Sequence, residues 1–412
     1  MSGWPLLSIV IFLPLVGVAF ILAVRGSTAA AVDNIRRVAL ITTTFNFLIS
    51  LALWGAFDTA EPSFQFVEKR DWVPGLISYH FGVDGISMPL VVLTTFLMPF
   101  CVLASWRVIT DRVREYMVAF LVLETLIIGV FCALDTILFA IFLQALLVPM
   151  FLIIAVWGGP KRVETAFKFI FYGLTASLLT LAAIIVMFWE SGSTQIPDLL
   201  AYDFPPEVQM WVWFALLAAF AINVPIWPLH TWLPQTHAEA PTAGSVILAG
   251  VVLKIGSYGF LRFSVPMLPE ASAEFSWLIF ALSAVAIISA SLAALVQTDM
   301  KKLVAYGAIA QMGFVTIGIF SMNTQGLQGA AYTMVFHGIV AAGLFLCVGI
   351  MSDRANTREL SAFGGLIHRM PLLAAALFVM TLAAVGVPGT TGFVGEFLTL
   401  LGAFKVSTVA AT

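Results

Sequence analysis

The sequence predicts an all-α polytopic membrane protein with about twelve transmembrane helices. Three observations carry this. Of 412 residues, 61% are hydrophobic and only 10% are charged, against about 25% charged in a soluble domain. The mean hydropathy is +1.04. Apolar runs long enough to span a bilayer recur along the whole chain, and a span needs roughly 20 residues. Forty-one charges are too few to cover a soluble globule, so a soluble enzyme, a nucleic-acid binder and a disordered chain are excluded.

The expected spans lie near 4–23, 38–56, 85–106, 117–134, 136–156, 165–188, 210–229, 243–262, 275–297, 303–320, 329–351 and 371–404. Helices are the default because backbone polar groups in lipid must be paired within a segment. The first run lacks a basic leader and a small-residue cleavage site, so it reads as an uncleaved span. Pro149 marks a kink in span five. Span seven contains Asn223, Pro225 and Pro228. Span twelve contains Gly386, Pro388, Gly389 and Gly392, followed by Glu396. Proline removes a backbone donor and breaks a helix. Two such helices five spans apart suggest two repeats, each with an interrupted helix, a pattern that marks ion pathways.

Charge sets the orientation. Arg25, Arg36 and Arg37 lie on the first loop, and Arg107, Arg112 and Arg114 on the third. Lys161, Arg162 and Lys168 lie on the fifth, Lys301 and Lys302 on the ninth, and Arg354, Arg358 and Arg369 on the eleventh. Fourteen of the nineteen Lys and Arg thus fall on odd-numbered loops. The sixth loop is acidic, with Glu190, Asp198, Asp203 and Glu207. By the positive-inside rule the odd loops face the cytoplasm or matrix and the N-terminus lies outside.

Four ionisable residues sit at membrane depth: Glu124, Lys254, His337 and Glu396. Each is costly there unless paired or hydrated, and each is a functional candidate. Carboxylate, amine and imidazole all hold or release protons when burial shifts their affinity. A structural hydrogen bond is the bland alternative for any one alone. Cys101, Cys132 and Cys347 lie apart in apolar runs, so they read as buried thiols and not as Fe–S or zinc ligands. No Gly-rich loop follows a strand pattern, so no nucleotide or flavin site is expected. His230 and His237 flank the turn between spans seven and eight; turn hydrogen bonding or proton access fits them better than a metal. Asp299, Lys301 and Lys302 read as a solvated interfacial loop, with a role in proton access as the alternative.

Several stretches resemble one family. PLHTWLPQTHAEAPTAGSVILAGVVLKIGSYGFLR (228–262) resembles the hallmark of the antiporter-like proton-pumping subunits of respiratory complex I. FGVDGIS (81–87), LLVPMFLIIAVWGG (146–159), TDMKKLVAYGAIAQMGF (298–314), FHGIVAAGLF (336–345) and PGTTGFVGEF (388–397) resemble it too. Within the family the chain is most similar to subunit M, or chain 4. The resemblance implies fourteen helices, with inverted repeats over spans 4–8 and 9–13. It divides the chain into a three-helix segment (1–114), a first repeat (115–262) and a second (263–412). The sequence stops at Thr412, so spans thirteen and fourteen are expected to be missing from it.

The resemblance also exposes departures. The family's span-five Glu, in FEAxLIPM, is Gln144 in FLQALLVPM. Its span-seven Lys, in FAVKMP, is Asn223 in FAINVP. The His of AHMG is Gln311, and the Asp of LPDAH is Gln235. Lys254, His337 and Glu396 match the family pattern. The Glu–Lys pair is the family's inlet half-channel. Losing one member would strand a buried charge at a cost of about 3–5 kcal/mol, whereas losing both does not. Amides keep the packing but carry no proton at neutral pH.

Glu124 lies before the outer turn at Asp135 and Gln144 after it, both roughly 14–15 Å below that turn at helical rise. Glu124 is therefore a candidate substitute carboxylate; the alternative is contact with a neighbouring subunit or a polar group of span three or five. The resemblance implies a membrane-arm subunit of a proton-translocating NADH:quinone oxidoreductase, in the bacterial or mitochondrial inner membrane. Lys254, His337, Glu396 and Glu124 would relay protons among water and neighbouring antiporter-like subunits. Flavin, Fe–S clusters and quinone are expected on other subunits, with no cofactor, metal or nucleic acid on this chain. A cation/proton antiporter, a membrane-bound hydrogenase and a non-pumping structural subunit are the alternatives.

Overall fold

The computed structural model describes residues 5–26, 28–73 and 77–412. Trp4, where the first expected span begins, lies outside them. The chain opens with α1 (Leu6–Ala23) and α2 (Ala29–Ala56). Thr28 caps α2 by accepting from the Ala31 N–H at 3.3 Å, as short hydroxyl side chains do at helix starts.

An antiparallel hairpin follows, β1 (Gln65–Val73) with β2 (Ile77–Val83). It corrects the all-α expectation. The segment is too polar to enter lipid, and QFVEKRDWV carries aromatic and β-branched residues that suit a pleated surface. Glu68 on β1 fixes the hairpin to the start of α1 by accepting from the Leu7 N–H at 2.9 Å.

Next come α3 (Ser87–Ser105), α4 (Val113–Cys132), α5 (Thr136–Ala145) and α6 (Leu147–Trp157). The division at Leu146 lies one turn before Pro149, whose ring opposes the carbonyl of Ala145. Then come α7 (Arg162–Ser191), the short α8 (Ile196–Ala201), α9 (Pro206–Asn223) and α10 (Leu233–Glu239). The stretch Thr242–Met267 is continuous but uneven. It runs as α11 (Thr242–Ile247), a π segment (Leu248–Val252), α12 (Leu253–Gly259), a second π segment (Phe260–Ser264) and α13 (Val265–Met267). The chain continues with α14 (Pro269–Glu274), α15 (Ser276–Leu295), α16 (Met300–Phe320) and α17 (Thr324–Ala355). It ends with α18 (Leu366–Arg369), α19 (Pro371–Ala384), α20 (Thr391–Val406) and α21 (Thr408–Ala411).

Among the described residues, ten helices are long and apolar enough to cross a membrane. Their ends follow the expected spans within a few residues, except that α2 starts nine residues early. Its first two turns carry Asp33, Arg36 and Arg37, so hydropathy alone stops short of them. The other two expected regions, 210–229 and 371–404, hold α9 with α10 and α19 with α20. The buried centre is the stretch 242–267, the most enclosed of the ten, with 89% of its apolar window buried. Outward faces are apolar too, as with Phe171, Leu178 and Trp189 on α7. Cys101, Cys132 and Cys347 are buried free thiols.

Candidate functional site

The centre of the molecule is Lys254 on α12. Its side chain is 0% exposed. Its Nζ donates to the Ala249 carbonyl in the preceding π segment. Such π segments occur often at functional sites. The same Nζ lies 3.0 Å from Nδ1 of His337 on α17. A glycine makes the meeting possible. A Cβ on Gly338 would sit 2.6 Å from the Gly250 carbonyl, so any larger residue there would push α17 away from the π segment.

A cavity of about 350 Å³ opens beside this pair. It lies between α16, α17 and α19, and both His337 and Gln311 line it. Its other lining residues are mainly apolar, including Val304, Leu344 and Leu377. Gln311 leads from it to a carboxylate. Gln311 donates from Nε2 to Glu396 Oε1 at 2.6 Å and to the Ala384 carbonyl at 3.0 Å. One amide therefore ties the end of α19 to the carboxylate on α20. Gly386, in the left-handed region at φ +71°, lies against that carboxylate, and a Cβ there would strike Glu396. His337 of the Lys254 pair and Gln311 of the Glu396 pair thus line one cavity.

The first half differs. Asn223 ends α9, and its Nδ2 is buried with no hydrogen-bond partner among the described residues. It lines a cavity of about 20 Å³ with Leu143, Leu147, Phe169, Trp232 and Ile255. That is room for about one water, in mainly apolar surroundings. Gln144, on α5, is half-buried. Gln235 on α10 is exposed and accepts from Lys168 Nζ at 2.8 Å. Lys168 lies on α7, not on a loop.

Glu124 on α4 is 0% exposed. It accepts from Asn46 Nδ2 at 2.7 Å. Its partner is thus on α2, neither of the two spans expected. Asn46 is equally buried, and Thr43 and Ser50 share its face of α2. Ser50 bonds Thr95 of α3 at 2.6 Å. A polar seam therefore joins α2, α3 and α4. Sequence reading missed Asn46 because only ionisable residues were sought; an Asn and a Ser inside the apolar run 38–56 were the available signal. Glu124 Oε2, Asn46 Oδ1 and Thr125 Oγ1 have no partner among the described residues.

At one end of the bundle a second cluster holds loops in register. Asp135 caps α5 by accepting from the Ile137 and Leu138 N–H groups at 3.0 and 3.1 Å. Its other oxygen accepts from Thr194 Oγ1 at 2.7 Å and Gln195 Nε2 at 2.8 Å. Gln195 also bonds His80 of β2. Burial lowers the His80 imidazole below its ordinary 6.5, against the opposing effect of the Gln195 bond. Asp84 meets Arg262 at 2.7 Å. Burial disfavours the Asp84 carboxylate, but the Arg262 charge together with hydrogen bonds from Ser87 and Arg262 outweighs this and holds it below the usual range. His237 makes no side-chain hydrogen bond: both ring nitrogens are buried and unpartnered, and His230 Nδ1 is likewise. Turn hydrogen bonding therefore does not account for His237. Among the described residues no cluster of three His, Cys, Asp or Glu is placed to hold a metal.

The comparisons with known proteins agree with this architecture. The family described as NADH:quinone oxidoreductase/Mrp antiporter, TM, matches residues 133–412. That described as NADH-ubiquinone oxidoreductase chain 4, amino terminus, matches 35–132. NADH-quinone oxidoreductase subunit M of Rhodobacter capsulatus is 52% identical over 98% of this chain and 82% of its own length. NADH-ubiquinone oxidoreductase chain 4 of Arabidopsis thaliana is 46% identical over the same shares. A chain of respiratory complex I from Thermus thermophilus superposes with a TM-score of 0.88 at 31% identity, covering 98% of this chain and 84% of that one. This chain belongs to the NADH:quinone oxidoreductase/Mrp antiporter membrane-subunit family, in its subunit M, or chain 4, group.

Proposed function

We propose that this chain is a membrane-arm subunit of a proton-translocating NADH:quinone oxidoreductase and that it relays protons along its buried polar axis. The observation that carries the reading is the Lys254–His337 contact at 3.0 Å, opening on the cavity that Gln311 shares. Lys254 is the central relay, His337 its neighbour and Glu396 the carboxylate of the outlet half. Water in the cavity bridges His337 to the Gln311–Glu396 pair. Glu124 supplies a carboxylate in the first half, where Gln144 and Asn223 hold none. Quinone reduction in other subunits drives the changes in protonation; flavin and Fe–S centres also belong there.

Twelve spans follow if α9 with α10, and α19 with α20, each make one broken span. Residues 1–114 then form an N-terminal three-helix segment, and 115–262 and 263–412 two inverted repeats. Two aspartates support the repeats. Asp299 caps α16 as Asp135 caps α5, accepting from Lys301 and Lys302 N–H groups. Each forms an isolated antiparallel bridge with the residue 60 positions on, Gln195 and Glu359 respectively. With the N-terminus outside, Asp135 faces the outer side and Asp299 the inner. The protein lies in a bacterial or mitochondrial inner membrane beside other antiporter-like subunits.

The test is proton pumping by the reconstituted complex after Lys254→Ala. The proton/electron ratio should fall while quinone reduction continues. An undiminished ratio would sink the relay reading. It would favour a second one, a non-pumping structural subunit, which the unbonded Asn223 amide beside its small apolar cavity supports.

A further inference from the structure

Arg262 is a buried cation with no part in the relay described above. It is 5% exposed. It lies in the second π segment, and π turns occur often at functional sites. Along the stretch 242–267, Tyr258 stands about one turn beyond Lys254, and Arg262 about one turn beyond Tyr258. Tyr258 is as enclosed as Lys254, at 1% exposure.

The two side chains lock the end of the stretch that lies beyond Lys254. Arg262 donates from Nε to the Tyr258 hydroxyl at 3.1 Å, and from a terminal nitrogen to Asp84 Oδ1 at 2.7 Å. The Tyr258 hydroxyl donates to the Phe131 carbonyl, near the end of α4, at 3.3 Å. Asp84 directly follows β2 and also accepts from the Ile86 and Ser87 N–H groups at 3.1 and 3.0 Å. The walls are aromatic. The guanidinium carbon lies 5.0 Å from the Phe64 ring centre and 5.2 Å from that of Tyr258. Phe131 meets the Tyr258 ring edge-on at 5.3 Å, and Phe139 lies 4.9 Å from Phe263, all three phenylalanines being buried. A positive charge is therefore fixed in a packed apolar collar between Lys254 and the hairpin.

We propose that Arg262 is a fixed-charge barrier that closes the outer end of the Lys254 helix to protons. The proposal rests on the relay reading of Lys254 and on the orientation that puts the hairpin outside. Arginine is not deprotonated in proteins, so Arg262 repels an approaching proton and passes none on. A surround of low dielectric strengthens that repulsion. A proton on Lys254 therefore finds the outward path opposed, while the contact with His337 at 3.0 Å stays open. Protons on the outer side meet the same charge and do not return to Lys254. Asp84 offsets the cost of burying the charge. Tyr258, one turn nearer Lys254, brings no charge of its own to that side.

The experiment uses the complex reconstituted in vesicles. It reads the decay of an imposed proton gradient without substrate, and the proton/electron ratio during quinone reduction. Asp84→Asn/Arg262→Gln removes both charges together and keeps hydrogen-bonding groups in place. The gradient should then decay severalfold faster than with the unaltered complex, and the ratio should fall while quinone reduction continues. Adding Lys254→Ala should bring the decay back to the unaltered rate, because the leak runs through Lys254. Arg262→Lys keeps the charge and loses the forked geometry, and its decay should stay slow. Tyr258→Phe should leave the ratio unchanged. Slow decay in Asp84→Asn/Arg262→Gln, with pumping impaired in Lys254→Ala, overturns the barrier and leaves the relay standing. Fast decay that persists when Lys254→Ala is added overturns it too, as does equally fast decay in Arg262→Lys, for the network is then a structural clasp. A lower ratio in Tyr258→Phe with slow decay also overturns it, by making the hydroxyl a conductor. Full pumping by Lys254→Ala removes the relay, and the barrier with it.

Discussion

The two helix interruptions resemble each other in outline and differ in chemistry. Between α9 and α10 the chain offers Asn223, with an unbonded amide nitrogen and about 20 Å³ of space. Past the break between α19 and α20, Glu396 on α20 is held at 2.6 Å by Gln311, which lines a cavity of about 350 Å³. Proline marks the break in both, and the second adds glycine. In the second, a carboxylate that can hold a proton bonds Gln311, which lines a cavity with room for water. A broken helix is therefore a place where such chemistry fits, and the side chains lining it decide whether it occurs.

The sharpest way to break this comparison is to neutralise each interruption in turn. Glu396→Gln removes the carboxylate and keeps a hydrogen-bonding partner for Gln311. The proton/electron ratio of the reconstituted complex should fall to the level of Lys254→Ala. Asn223→Leu removes an amide whose nitrogen bonds nothing, and the ratio should not change. Equal losses in the two variants would erase the contrast.

Much of this contrast was legible in the sequence. Pro225, Pro228, Pro388 and Gly386 announce the interruptions, because ring and hydrogen side chains act on the backbone locally. Lys254, His337 and Glu396 stand out by charge in apolar runs. The pairings were not legible, because each joins helices distant in sequence. Asn46 and Glu124 are 78 positions apart, and Gln311 and Glu396 are 85. Gln311 read as a lost histidine, yet it donates to the Glu396 carboxylate. The hairpin was missed because a hydropathy scan treats every polar stretch between spans as loop.

A middle-sized effect belongs to the first half. Asn46→Leu takes away the one hydrogen bond of a wholly buried Glu124. Leaving such a group unsatisfied costs about 1–3 kcal/mol. Thermal unfolding of the purified complex should show the loss in this subunit. Asn46→Leu/Glu124→Leu should recover part of it, since neither group is then stranded. Additive losses would mean that the two side chains do not depend on each other, and the polar seam would not be a unit.

The smallest effect separates the loop clip from the buried axis. His80 has its proton affinity lowered by burial, so folding favours the neutral ring. The unfolded ring titrates near 6.5. The stabilisation is therefore full above that pH and declines as pH falls toward the lower folded value. In the neutral ring Nδ1–H already donates to the Gln195 carbonyl oxygen, so protonation would add its proton at Nε2 and place a charge in a buried site. Asp135 opposes the lowering, which limits the effect. Hydrogen exchange in β2 and in residues 193–196 should be faster, relative to intrinsic rates, at about pH 5.5 than at about pH 7.5. His80→Phe should abolish the difference and leave exchange around Lys254 as it was. A pH effect that survives His80→Phe would assign the titration to another group, and the clip would then be held by Asp135 and Gln195 alone.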